Sequence, residues 1–121
     1  MEDFVLYNLE NVLIKEFKEY WLIEPKTRLD LSFSDNFFND TLNIITSNPK
    51  SVIINLVEVP YISSSGIKSI LKLKQFLDIR GYKVALYNLL PEVKKVIHIS
   101  ELHHLLPIFE NLEDSILFIK Q

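Results

Sequence analysis

Three hydroxyls in a row, Ser63, Ser64 and Ser65, stand directly before Gly66, one of only two glycines in the 121-residue chain. The stretch that follows, Ile67-Lys68-Ser69-Ile70-Leu71-Lys72-Leu73-Lys74-Gln75-Phe76-Leu77, has the composition of a helix, so the hydroxyls fall at a helix N-terminus. A serine oxygen there accepts from the free N–H groups of the first turn. Those groups, together with the helix dipole, favour negative charge. Two roles are open: Ser63 or Ser64 is a cap, or one serine at the mouth of the helix is offered to a protein kinase.

The other residues with chemical potential are His98, His103 and His104. Adjacent histidines on a strand or helix are expected to point different ways, the i, i+4 pairing of a metal site is missing, and the chain has no cysteine, so they read as solvated surface groups. A Ser-His-Asp hydrolase needs a Gly-x-Ser-x-Gly elbow, which Ser63-Ser64-Ser65-Gly66 does not supply. Two glycines cannot build a Rossmann or Walker phosphate turn. The expectation is a protein without enzymatic activity, catalytic residues, metal or cofactor.

The elements that must position the hydroxyls are legible on both sides. Val52-Ile53-Ile54-Asn55-Leu56-Val57 is apolar and β-branched, which suits an interior strand, and Pro60 cannot donate to a ladder and ends it. The helix after Gly66 places Ile67, Ile70, Leu71, Leu73 and Leu77 on one arc, with Lys74 inside that arc as a snorkelling stem and Phe76 outside it. Gly81 stands where a left-handed C-terminal residue is wanted, and Lys83-Val84-Ala85-Leu86-Tyr87 begins another strand.

With 48% hydrophobic residues the chain is sized for one domain, and the lack of cysteine fits a reducing compartment. The acidic start Met1-Glu2-Asp3 has no signal-peptide character, and no apolar run approaches the roughly 18 residues of a membrane span, which implies a cytoplasmic protein without membrane insertion. A net charge of −3 gives no footprint for nucleic acid.

Residues 1–11 mix apolar and acidic types without a period and are expected to be an N-terminal extension, a strand or a short helix, ahead of a domain over 12–121. Val12–Phe17 and Tyr20–Glu24 read as two strands joined by Lys18-Glu19, and Pro25 ends the second. Ser32, Ser34 and Asp35 are candidate caps of a helix from Asn36 to Ser47, with Phe38, Thr41, Leu42 and Ile45 on its apolar face and Phe37 and Ile44 at the edge. Pro91 and Glu92 open a short helix with Val93, Val96 and Ile97 inward. Leu105–Phe109, interrupted by Pro107, reads as a last strand at a sheet edge, and Asn111 as the cap of a helix with Leu112, Ile116 and Ile119 on one face. Strands alternating with helices predict an α/β domain with crossover connections and a mixed sheet of about five strands with about four helices.

These residues carry a family resemblance. Val52 to Leu56, Val59, Ile62-Ser63-Ser64-Ser65-Gly66-Ile67, Gly81 to Leu86, Pro91-Glu92-Val93 and Leu105 to Phe109 resemble the STAS domain of anti-sigma-factor antagonists, over about Val12 to Ile119, and Arg28-Leu29-Asp30 matches that family's early Gly-Arg-Leu-Asp with Thr27 in the glycine's place. The family's turn reads Asp-Ser-Ser/Thr-Gly-Leu. Ser63 stands in place of the aspartate, and Glu101 in place of a usual glycine. The resemblance implies a single STAS-like domain that binds an anti-sigma factor serine kinase through Ser63, Ser64, Ser65, Gly66, Ile67 and Lys68. It further implies that the kinase phosphorylates the protein at Ser64, with Ser63 and Ser65 as the lesser candidates. It leaves room for a homodimer. The alternative it allows is a STAS interaction subunit of a transporter or signalling complex without a phosphoswitch, in which Ser64 is only a cap.

Overall fold

In the computed structural model, which describes residues 2–121, six strands form one sheet in the order β1-β2-β3-β4-β5-β6. They are β1 (Val5–Asn8), β2 (Val12–Glu16), β3 (Tyr20–Pro25), β4 (Ser51–Asn55), β5 (Val84–Tyr87) and β6 (Ile108–Phe109). The helices are α1 (Ser34–Ile45), α2 (Ser64–Ile79), α3 (Pro91–Ile99) and α4 (Leu112–Ile119), with a 3-10 turn at Leu102–Leu105. The first three strands are joined antiparallel, and β3 to β6 run parallel. The mixed α/β fold is the expected one, and β1 supplies one strand beyond about five.

Each parallel strand lies beside its predecessor, so successive crossovers of the same hand advance in one direction and leave their helices on the same face. There α1, α2 and α3 cover Val12, Ile14, Trp21, Ile23, Val52, Ile54, Val84 and Leu86. The opposite face is smaller: α4 covers Tyr20, Leu22, Ile53, Ala85 and Tyr87. Buried on both sides, β4 and β5 lack the alternation of a half-exposed strand.

Three details depart from the sequence reading. Helix α1 starts two residues early, and its buried stripe is Ser34, Phe37, Thr41 and Ile45, with Phe38 and Leu42 only partly covered. Two adjacent phenylalanines satisfy a helical period in either phase, and packing against the sheet selects Phe37. The expected caps do not act: Phe33 occupies the cap position without a side-chain bond, while Asp30 accepts from the Ser32 amide (2.9 Å) and organises the turn. The last strand is reduced to Ile108–Phe109, because Glu101 takes a left-handed conformation (φ 62°) after α3 and Leu102–Leu105 coil into a tight turn. What remains of it lies at the sheet edge, as Pro107 implies.

Candidate functional site

The site is built where β4 passes to α2. Asn55, at the end of β4, accepts from the Val57 amide (3.1 Å) and from Asn88 Nδ2 (3.2 Å), and donates to Glu24 Oε2 (2.9 Å). Glu24 is held in turn by Lys15 at 3.0 Å. Beside this row Tyr87 is pushed up to about 12, first by burial and then by the charge of Glu24. With its start anchored, the connection drops buried Leu56, Val59 and Ile62 into the main core and leaves Pro60 and Tyr61 outside.

A second segment clamps the turn. Leu29 N–H donates to Tyr61 O (3.0 Å), Ser63 N–H donates to Leu29 O (2.9 Å), and Leu29 and Ile62 form a single parallel bridge. This brings the Leu29 backbone onto the first turn of α2. A Cβ at Gly66 would lie 2.3 Å from Leu29 O and 2.7 Å from Ile62 Cγ1, so the glycine is required by close approach of another chain segment.

The hydroxyls then separate by role. Ser63 is the cap: extended (φ −105°, ψ 177°), it accepts from the Gly66 amide at 3.4 Å. Ser64 is the first helical residue and is exposed, with Lys68 exposed one turn later. Ser65 is partly covered, and Gly66 and Ile67 are buried, so those two reach a partner only through the turn they hold. Among the four α-helices, α2 alone lacks an acidic residue in its first turn: α1 has Asp35, α3 has Glu92, and α4 has Glu113 and Asp114. The positive end of its dipole therefore has no carboxylate from its own first turn beside it.

Two depressions flank this helix. A groove of about 410 Å³ is lined by Lys68, Leu71, Lys72, Lys74, Gln75 and Asp78 of α2 and by Leu105. A smaller one of about 130 Å³, between α1 and α2, includes Leu31, Ser34, Asp35, Ser65, Lys68 and Lys72. Lys68 and Lys72 line both. Exposed Leu31, Tyr61 and Leu105 add apolar surface near the turn. None of the three was singled out from sequence, because their exposure follows from how distant segments meet.

His98 and His104 are exposed, as solvated surface groups should be, and His103 is partly covered. The rings of His98 and His103 stack at 4.3 Å between centroids and those of His103 and His104 lie at 4.0 Å, so the tight turn after α3 brings all three together instead of pointing them different ways. Burial, then the charges of His104 and His98, hold His103 below the ordinary imidazole range. Ring faces meet, rather than nitrogens converging on a point, and among the described residues no group of three or more His, Cys, Asp or Glu is placed to hold a metal ion.

Comparison with known proteins agrees with this geometry. The family profile of the STAS domain matches residues 11–115. No curated protein matches the sequence significantly. Among solved structures, an anti-sigma factor antagonist from Mycobacterium paratuberculosis is 14% identical, with 95% of this chain and 100% of that one covered and a TM-score of 0.79. The anti-sigma factor antagonist SpoIIAA in its unphosphorylated form is 20% identical, with 95% and 93% covered and a TM-score of 0.69. The murine anion transporter Slc26a9 is 14% identical, with 99% of this chain but 22% of the transporter covered and a TM-score of 0.72. Among the described residues, no helix is long and apolar enough to cross a membrane.

Proposed function

Because this chain belongs to the STAS domain family, we propose that it is a non-enzymatic regulator of the anti-sigma-factor-antagonist kind, which docks on an anti-sigma factor serine kinase and is switched by phosphorylation of Ser64. The observation that carries this reading is the exposed Ser64 hydroxyl at the start of the one α-helix without an acid in its first turn. A phosphate there adds about −1.5 to −2 charges. Within the free protein the first-turn amides and Lys68 accept that charge, so the fold is unchanged. Against a partner packed over α2, the same charge is buried without a counterion, and each ~1.4 kcal/mol of that penalty is a tenfold loss of affinity. Ser63 and Ser65, partly covered, are poorer acceptors for a kinase than Ser64. A cytoplasmic location belongs to the same proposal, since the kinase it calls for uses ATP.

The test is a binding experiment with the cognate kinase, using wild type, Ser64→Asp and Ser64→Ala, accompanied by mass measurement after incubation with kinase and ATP. The expected result is one added phosphate on wild type and none on Ser64→Ala, binding by wild type and Ser64→Ala, and weak binding by Ser64→Asp. Equal affinity of all three forms would falsify the switch.

Two observations favour a second reading. The match to Slc26a9 spans nearly this whole chain but under a quarter of the transporter, and Ser63 replaces the family aspartate beside the phosphorylated serine. On that reading the domain is a constitutive interaction subunit, and incubation with the kinase leaves its mass unchanged.

A further inference from the structure

The two edges of the sheet are treated differently. β6 is two residues long and lies under α4, with Phe109 packed on Phe118 at 5.2 Å. β1 has β2 as its one neighbour, and Phe4, Val5 and Leu6 are 44%, 55% and 52% exposed. Natural edge strands are blunted by lysine, proline, a bulge or a covering element, and Val5–Asn8 carries none of these.

The register shows which backbone groups are free. Leu9 N–H donates to Val12 O (3.0 Å), closing a hairpin over Glu10-Asn11. Counting back along the antiparallel ladder, Tyr7 faces Ile14 and Val5 faces Glu16, and these alternate residues turn their N–H and C=O groups toward β2. Phe4, Leu6 and Asn8 turn theirs outward, beyond the end of the sheet.

We propose that two copies of this chain join edge to edge through β1, antiparallel, with the two-fold axis at Leu6. Leu6 then exchanges both backbone hydrogen bonds with the partner's Leu6, and Phe4 exchanges them with the partner's Asn8. The strand is self-complementary in this register on both faces. Leu6 lies beside its own copy on one face, and Val5 lies opposite the partner's Tyr7 on the other. Charge complements this pairing. In this register Asp3 of one copy falls opposite the partner's Leu9, where Lys26 Nζ donates to Leu9 O (2.6 Å) and to Asn8 Oδ1, so each Asp3 meets a lysine across the axis, while Glu2 falls opposite the partner's Glu10 and adds nothing to the attraction. Ser64 is not part of this edge, so the dimer and the phosphoswitch stand or fall separately.

The test is the mass in solution of the full chain across a concentration series, by sedimentation equilibrium. Wild type is expected to rise from one chain to two. Leu6→Lys, at an exposed position, should raise the dimer dissociation constant at least tenfold. Leu6→Pro should do the same, because it deletes a donor that faces away from β2 and leaves the β1–β2 ladder in place. The charge contact is read with two variants, Asp3→Lys and Lys26→Glu. Each alone should dimerise more weakly than wild type, and an equimolar mixture should recover the dimer, since each charge then meets its opposite across the axis. A single-chain mass at every concentration overturns the proposal, and this holds even where a different protein is found to pair with β1. A dimer indifferent to both Leu6 substitutions, or a mixture no tighter than its components, overturns it as well.

Discussion

Helices α2 and α3 begin on the same rim of the sheet, each after a parallel strand, yet their first turns are built to opposite ends. At α3, Leu90 caps without a side-chain bond, Pro91 presets the first helical residue, Glu92 brings a negative charge to the dipole, and Val93, three residues past the cap, fills the core. At α2, Ser63 bonds the Gly66 amide, no acid is present, Ser64 is exposed, and the position equivalent to Val93 is Gly66, against which the Leu29 backbone rests. One start is complete in itself. The other is clamped from outside by the Leu29 backbone and carries no acid in its first turn, which is what the proposed switch at Ser64 would use.

Several substitutions sharpen or break this contrast. Gly66→Ala should have the largest effect on stability, about 3 kcal/mol lost by the urea midpoint, since the new methyl meets backbone that cannot move aside. Gly81→Ala, with φ +82° but open space around it, should lose only about 1 kcal/mol. A loss at Gly66 no larger than that at Gly81 would mean the clamp yields.

Removing the cap with Ser63→Ala should destabilise by about 0.5–1 kcal/mol, the low part of the range for caps because its bond is long. The charge difference between the two starts is subtler. Ser64→Asp should stabilise the free protein by roughly 0.3–1 kcal/mol, and Glu92→Gln should destabilise it by a similar amount, both effects fading in high salt. Thermal melts of the two variants in low and high salt check this, and a destabilising Ser64→Asp would show that α2 has no vacancy for negative charge.

Acid sensitivity should be traced elsewhere, to Glu16 on β2. Its hydrogen bond from Lys50 (2.8 Å), aided by Asn48, holds its carboxyl below 4.5 against the opposing pull of desolvation. A carboxylate depressed on folding contributes stability that is full above its unfolded pKa and is lost as pH falls through the lower folded value. Lys50→Met should therefore flatten the stability profile between those two values, measured as urea midpoints from pH 3 to pH 6.

How much of this was legible beforehand depended on range. The strand, the stop at Pro60 and the helix after the serines were readable because β-branching, proline geometry and capping act within a few residues. The phase of α1 was not, since Phe37 and Phe38 fit the period equally well and only the sheet chooses between them. The truncated last strand and the stacked histidines both follow from the left-handed Glu101, whose one sign in the sequence is that it stands where the STAS family usually has glycine. Residues 5–8 carried too few apolar positions in alternation to declare a strand, because an edge strand buries almost nothing.

The sequence by itself determined that a helix start rich in hydroxyls and without an acid in its first turn follows β4, because hydroxyls, glycine and the absence of acids are properties of adjacent residues. Only the tertiary structure decided that Ser63 turns inward as the cap while Ser64 faces out, and that Gly66 must stay bare. Those outcomes depend on Leu29, more than thirty positions away in the chain, being pressed against the turn by the packing of the sheet.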